Sequence, residues 1–393
     1  MTPAALDVLA ALADRAADLG LPGPAALVGD WADADAVIAP SLEVVDGQGP
    51  PDRPDRFWLG YLGFPVRAGA APLPEVAGGL TDGLLFLRDG VWSWESPIGA
   101  PCPEWVTPLV ESTQEPARVD TSRFWTAEWT PPDEAPHLAA VESCREAIAD
   151  GEVYQACICT RFTGRVDGDP LAYFADLAAA TKPRKSAFLS GDWGAVASFS
   201  PESFLSRRGT TITSSPIKGT VPLDVDPLVL AESRKDIAEN VMIVDLVRND
   251  LGRVADTGTV RVPELLTVVG APGVWHSVST VSAEVGDVGN DALLDATFPP
   301  ASVTGTPKIR AAELIARWEE FPRGVYCGAI GVAGPGLLDL NVAIRTVQIG
   351  PDGTATLGVG GGITYDSVPA AEWQECLDKA SAIIAHTSSN DAP

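Results

Sequence analysis

Apolar positions along the chain recur with two spacings, one helical and one alternating, and the switches between them mark the elements. An Ala-rich amphipathic run over 3–19 follows Thr2-Pro3 and is stopped by Gly20, Pro22, Gly23 and Pro24, which predicts a first helix. Short apolar runs at 25–28, 36–38 and 42–45 predict strands, and 84–88 with 91–94 across Asp89-Gly90 predicts a hairpin. From 95 to about 136 the sequence is rich in Pro, Trp and Thr and has no period. That stretch divides an N-terminal layer, 1–130, from a second region, 131–388, with 389–393 as a disordered tail.

The second region begins with a helical pattern over 135–149 that ends at Asp150-Gly151, and 152–162 then alternates as a strand. One face of that strand carries Val153, Gln155, Cys157, Cys159 and Arg161, a mixture too polar for a purely apolar core. Further strands are predicted at 194–199, 203–207, 210–214, 274–285, 325–332, 337–349 and 354–360. Helices are predicted at 231–248, after Thr306-Pro307, and at 369–384. Many antiparallel strands with helices segregated among them make the class α+β rather than a regular βαβ alternation.

Composition narrows the partners. A chain of 393 residues, 46% of them hydrophobic, can bury a sizeable core. A formal charge of −26 argues against nucleic acid or an anionic membrane surface, since both demand a basic face. An anionic substrate would therefore need positive charge supplied locally. No apolar run reaches 18 residues, and Asp7, Asp14 and Asp18 make the N-terminus unlike a signal peptide. The expectation is a soluble, cytoplasmic protein. Its six cysteines lack zinc or C-x-x-C spacing and are expected to be free, mostly buried thiols.

The candidate chemistry centres on 213–253. Lys218 stands alone between Pro216 and Gly219, which predicts a turn that could face its amine into a cleft. Asp236 and Glu239, three apart, share a face of the following helix, and Glu372 and Glu375 repeat that spacing on the last helix. Two carboxylate pairs suit Mg²⁺, which takes oxygen ligands and keeps waters for its substrate. Thr306-Pro307-Lys308 sets N–H groups and an amine at a helix start, an anion seat. Gly360-Gly361-Gly362 reads as a turn whose amides a carboxylate can approach closely. Each of these features alone is ordinary solvated surface or a sharp turn; their conjunction points to a site.

Longer motifs carry a resemblance. PIKGT at 216–220, DIAENVMIVDLVRNDLGRV at 236–254, SVTGTPKIRAAELI at 302–315, RGVYCGAIG at 323–331, NVAIRTV at 341–347 and GGGITYDSVPAAEWQECLDKA at 360–380 resemble the chorismate-utilising enzymes. FWLGYLGF at 57–64 resembles the N-terminal layer of the amino-transferring branch. The family includes the anthranilate, isochorismate, salicylate and aminodeoxychorismate synthases. The resemblance implies an anthranilate-synthase-like fold: a large antiparallel β-sandwich flanked by helices, with the active site in a cleft between its halves.

The resemblance also implies roles. Chorismate, a dianion, would be held against Mg²⁺, with Glu239 and Glu375 as direct ligands and Asp236 and Glu372 acting through water. Thr306, Tyr326, Arg345 and the 360–362 amides would hold its side-chain carboxylate, while Lys308 and Lys379 add positive charge, and Gly219 and Thr220 lie beside the ring. Gln155 stands where isochorismate and salicylate synthases carry a water-activating lysine, so water chemistry is disfavoured. Glu202 matches the general acid for loss of the C4 hydroxyl, and His276 the histidine near the enolpyruvyl group. Anthranilate synthases read PIAGT where this chain reads PIKGT, which implies the aminodeoxychorismate branch. There a neutral Lys218 attacks C2, and ammonia then attacks C4 and expels it. No glutamine amidotransferase signature is present, so a separate glutaminase subunit would supply ammonia. Val221, Ser203 and Pro300-Ala301 depart from the family pattern. Two alternatives remain open: an anthranilate or aminodeoxyisochorismate synthase, and a non-catalytic chorismate-binding regulator.

Overall fold

The computed structural model of the protein describes residues 3–65, 71–112, 124–271 and 274–389. The chain folds as two large antiparallel sheets packed face to face with helices on their outer faces. Strand Ala25–Trp31 shows why its sequence reads as a continuous apolar run. Ala26 and Val28 pack outward against the helices, while Ala25, Leu27 and Trp31 enter the core between the sheets. A strand covered on both faces has no polar side to alternate with. The hairpin at Asp89-Gly90 forms as the sequence indicates, with φ of 51° and 77° at its two turn residues. The first helix spans Pro3–Asp18 and the last Pro369–Ile384. Among the described residues no helix is long and apolar enough to cross a membrane.

The strands before residue 130 are built into the same two sheets as those after it. Ala25–Trp31 pairs with Lys185–Gly191 in one sheet, and Phe57–Leu62 pairs with Ala329–Gly334 in the other. The predicted strand at 42–45 reduces to Val45–Asp46, and the one at 325–332 begins only at Ala329. The run at 337–349 is two strands, Leu337–Val342 and Thr346–Ile349, which lie in different sheets. Arg345 sits at the crossing with φ of 50°, a backbone conformation uncommon for a residue with a side chain. Arg261–Ala271, an edge strand with no apolar alternation, is not foreseen by the pattern.

Two further corrections bear on the site. Lys218 is not in a turn: Ile217–Pro222 is an edge strand pairing with Val274–Glu284, its register shifted between Ile217 and Thr220. Gly219, with φ of 80°, takes up that shift as a bulge, and proline at 216 and 222 suits an edge. Nor is the glycine triplet a turn. It lies within Thr354–Ile363, with Gly360, Gly361 and Gly362 opposite Cys159, Ile158 and Cys157.

Candidate active site

A cavity of about 520 Å³ opens where the edge strand of Lys218, the glycine strand and two acidic helices meet. Its geometry follows from the triplet. A Cβ on Gly360 would lie 2.5 Å from Cys159 Sγ, one on Gly361 3.2 Å from Glu372 Oε2, and one on Gly362 2.5 Å from Gln155 Nε2. Only side chains without a Cβ leave that room. Lys218 Nζ lies 3.3 Å from the same point in front of Gly362, so the amine and the Gln155 amide converge over this glycine. Beyond Leu357 the glycine strand has, among the described residues, a single strand neighbour, Gln155–Gly168. The carbonyl of Gly360 faces the opposite edge and accepts from Lys379 Nζ at 2.8 Å. The two-residue alternation of a strand turns the N–H groups of Gly360 and Gly362 to that edge as well.

Three cations serve the cavity. Lys218 is largely enclosed and stands 3.8 Å from Glu239 Oε2, and Lys379 contacts Glu375 Oε1 at 2.6 Å. Burial works against the charge of Lys379, but the Glu375 carboxylate more than restores it and holds its pKa above the ordinary value. Arg345 reaches into the cavity with no hydrogen bond to its guanidinium from the described residues, and burial lowers its pKa. Carboxyls of Glu202, Asp236, Glu239, Glu375 and Asp378 line the same cavity, so the cations stand interleaved with acids.

Glu202, buried at the start of Ser203–Arg208, is the general-acid candidate. Burial raises its pKa, while Ser302, Lys218 and the Ile217 amide oppose the rise. His276 projects from Val274–Glu284 with Nδ1 2.8 Å from Thr220 Oγ1. Burial and Arg345 push its pKa down to about 4, so the ring is neutral at pH 7. Tyr326 packs its ring across Gly358, where a Cβ would meet it at 2.3 Å, and burial keeps its phenol protonated.

The helix Arg234–Gly252 brings Asp236 and Glu239 to the cavity, and the last helix brings Glu375. Glu372 is set behind the triplet, buried, accepting from Ser367 Oγ at 2.7 Å. Among the described residues no three His, Cys, Asp or Glu side chains are grouped as a metal cage. Carboxylates from two helices facing one cavity still fit Mg²⁺, which needs only one or two from the protein.

Two predicted anion contacts are corrected. Thr306 and Lys308 line a separate groove with Tyr154 and Ile309. Lys308 Nζ is spent on Asp250 Oδ2 at 2.6 Å and on the carbonyls of Thr297 and Pro299, and the Thr306 carbonyl accepts from Tyr154 N–H. The helix start thus anchors a loop instead of seating a ligand. Lys308→Met is expected to destabilise the fold by about 3 kcal/mol by stranding the buried Asp250 carboxylate, read as a lower urea midpoint.

Sequence reasoning missed Ser302, Ile344 and Asp378, which also line the cavity. The signal available for Ser302 was its place in SVTGTPKIR. The wall is held by a buried pair: Arg323 bonds Glu319 and donates to the carbonyls of Val303 and Cys157, while Glu319 accepts from Cys159 N–H. Cys157 and Cys159 carry free thiols 3.8 Å apart, as the spacing indicates. Of the other histidines, His137 is buried against Trp373 and His386 is half-buried.

Residues 95–385 match the family of chorismate binding enzymes. The chain is 45% identical over 246 residues to aminodeoxychorismate synthase component 1 of Klebsiella aerogenes, covering 60% of this chain and 54% of that protein. It is 36% identical over 368 residues to the aminodeoxychorismate synthase of Streptomyces pristinaespiralis, covering 84% of this chain and 50% of that one. The chain thus spans about half the length of these relatives. Among solved structures it superposes on anthranilate synthase component I from Streptococcus pneumoniae TIGR4 with a TM-score of 0.70 at 25% identity, over 86% of this chain and 83% of that one.

Proposed function

Because this chain belongs to the family of chorismate binding enzymes, we propose that it is the synthase component of an aminodeoxychorismate synthase. Chorismate and ammonia would be its substrates and 4-amino-4-deoxychorismate its product. The observation that carries this reading is the Lys218 amine, set inside the cavity over Gly362, in a site whose general-acid candidate is buried Glu202.

The chemistry assigned to each residue follows from its environment. Lys218 forms a bond to C2 as the ring double bonds shift and the C4–O bond breaks, with Glu202 giving its proton to the departing hydroxyl so that water leaves. Ammonia then bonds to C4, the double bonds shift back, and the C2–N bond to Lys218 breaks, regenerating the amine. Burial keeps Glu202 a better proton reservoir than an exposed carboxyl. Arg345, Lys379 and the edge amides of Gly360 and Gly362 would hold the two carboxylates of the substrate. Glu239 and Glu375 would hold Mg²⁺, with Asp236 and Glu372 behind them, and the ion when bound would neutralise the dianion and orient it. Gln155, an amide, has no basicity with which to activate water. Ammonia would come from a separate glutamine amidotransferase, a reading supported by the "component 1" in the relative's name.

The test is to supply chorismate, Mg²⁺ and excess ammonium and to identify the product by mass spectrometry. A product bearing nitrogen at C4 and retaining the enolpyruvyl group is expected. A fluorescent aromatic amine without it would instead assign the chain to anthranilate chemistry. Binding without turnover would assign it to regulation.

A further inference from the structure

His276 and Thr220 are cross-strand partners, and their side chains meet at 2.8 Å through Nδ1 and Oγ1. The ring lines the cavity, and its bond to Thr220 is its one hydrogen bond among the described residues, which leaves Nε2 available to a ligand. The ring is neutral, so it carries a single proton, and donation by Nδ1 to Thr220 excludes donation by Nε2 into the cavity. A hydroxyl serves equally as donor or acceptor. The ligand does not: beside His276 the cavity presents the Arg345 guanidinium, unbonded among the described residues, which calls for an anion, whose oxygens only accept.

We propose that Thr220 is a positioning residue: its hydroxyl donates to His276 Nδ1 and so fixes the tautomer that points Nε2–H into the cavity. Only this arrangement leaves every group satisfied once an anion is bound. The strand makes the device economical. Thr220 is two residues beyond Lys218, across the Gly219 bulge, so the segment that presents the amine also sets the proton on the neighbouring imidazole. The assignment of the acceptor to an oxygen of chorismate rests on the function proposed above; the tautomer itself does not.

The chain has three histidines, so ¹⁵N-histidine labelling with a His276→Asn variant for assignment reads the ring directly. In the free protein, and with chorismate present and ammonium withheld, Nδ1 is expected to be unprotonated and Nε2 protonated. Thr220→Val should mix the two tautomers and raise KM for chorismate about tenfold, the effect of one hydrogen bond, with kcat changed less than about twofold. Thr220→Ser should restore both. A proton on Nδ1 in the wild type, or an unaltered His276 spectrum in Thr220→Val, would overturn the proposal. A spectrum unmoved by chorismate would count against the proposed substrate while leaving the tautomer to be read in the free protein.

Discussion

Lys218→Ala is expected to lower the rate of C4 amination at least about a thousandfold, the scale of losing an attacking group, while chorismate still binds. Among the described residues no other amine is placed to take over. Lys379 is held between Glu375 and the Gly360 carbonyl, and Lys308 lies outside the cavity on Asp250. Gln155 converges on the same point over Gly362 but is no nucleophile. Steady-state rates and mass spectrometry of the products check the expectation. Small amounts of anthranilate are expected from the variant, since ammonia can then meet C2 directly. Wild-type yield of the C4 amine from Lys218→Ala would exclude the covalent route.

Glu202→Gln is expected to cost about 10²–10⁴ in kcat, the usual contribution of a positioned general acid. It carries a second, opposite signature in stability. Because burial raises the carboxyl pKa in the folded state, the native protein binds a proton the unfolded chain has already lost. Stability therefore falls as pH rises through the interval between the unfolded and folded pKa values, and is full below it. The amide has nothing to ionise, so the variant should melt above the wild type at neutral pH, with the difference vanishing in acid. Activity of the wild type should likewise decline on the alkaline side as Glu202 loses its proton. Thermal melts at several pH values, beside a pH–rate profile, separate the two effects. A variant equally active, or no more stable at neutral pH than the wild type, would remove Glu202 from the role.

Much of this was legible in the sequence because it rests on local rules. The Asp89-Gly90 turn, the i,i+3 acid pairs and the Pro-led last helix each follow from a few adjacent residues. What failed depended on distant partners. Lys218 and the three glycines carry turn residues yet form strands, because Val274–Glu284 and Gln155–Gly168 supply ladders that short-range reading cannot see. Lys308 has the address of an anion seat, but Asp250, brought in by the central helix, takes its charge. Ser302 stood in a quoted motif, but its contact with Glu202, a hundred residues earlier, depends on the fold and could not be read there.

The interleaving of early and late strands has a consequence for how the molecule could be divided. The match to the family of chorismate binding enzymes runs from residue 95 to 385, yet Lys185–Gly191 and Ala329–Gly334 each have a neighbour drawn from before that stretch. Excising the recurring segment would bare two ladders of backbone N–H and C=O groups and strip apolar side chains such as Leu27 and Leu59 from the space between the sheets. The matched stretch is thus smaller than the body that must assemble, and a chemist seeking a minimal catalyst has to keep strands from outside it.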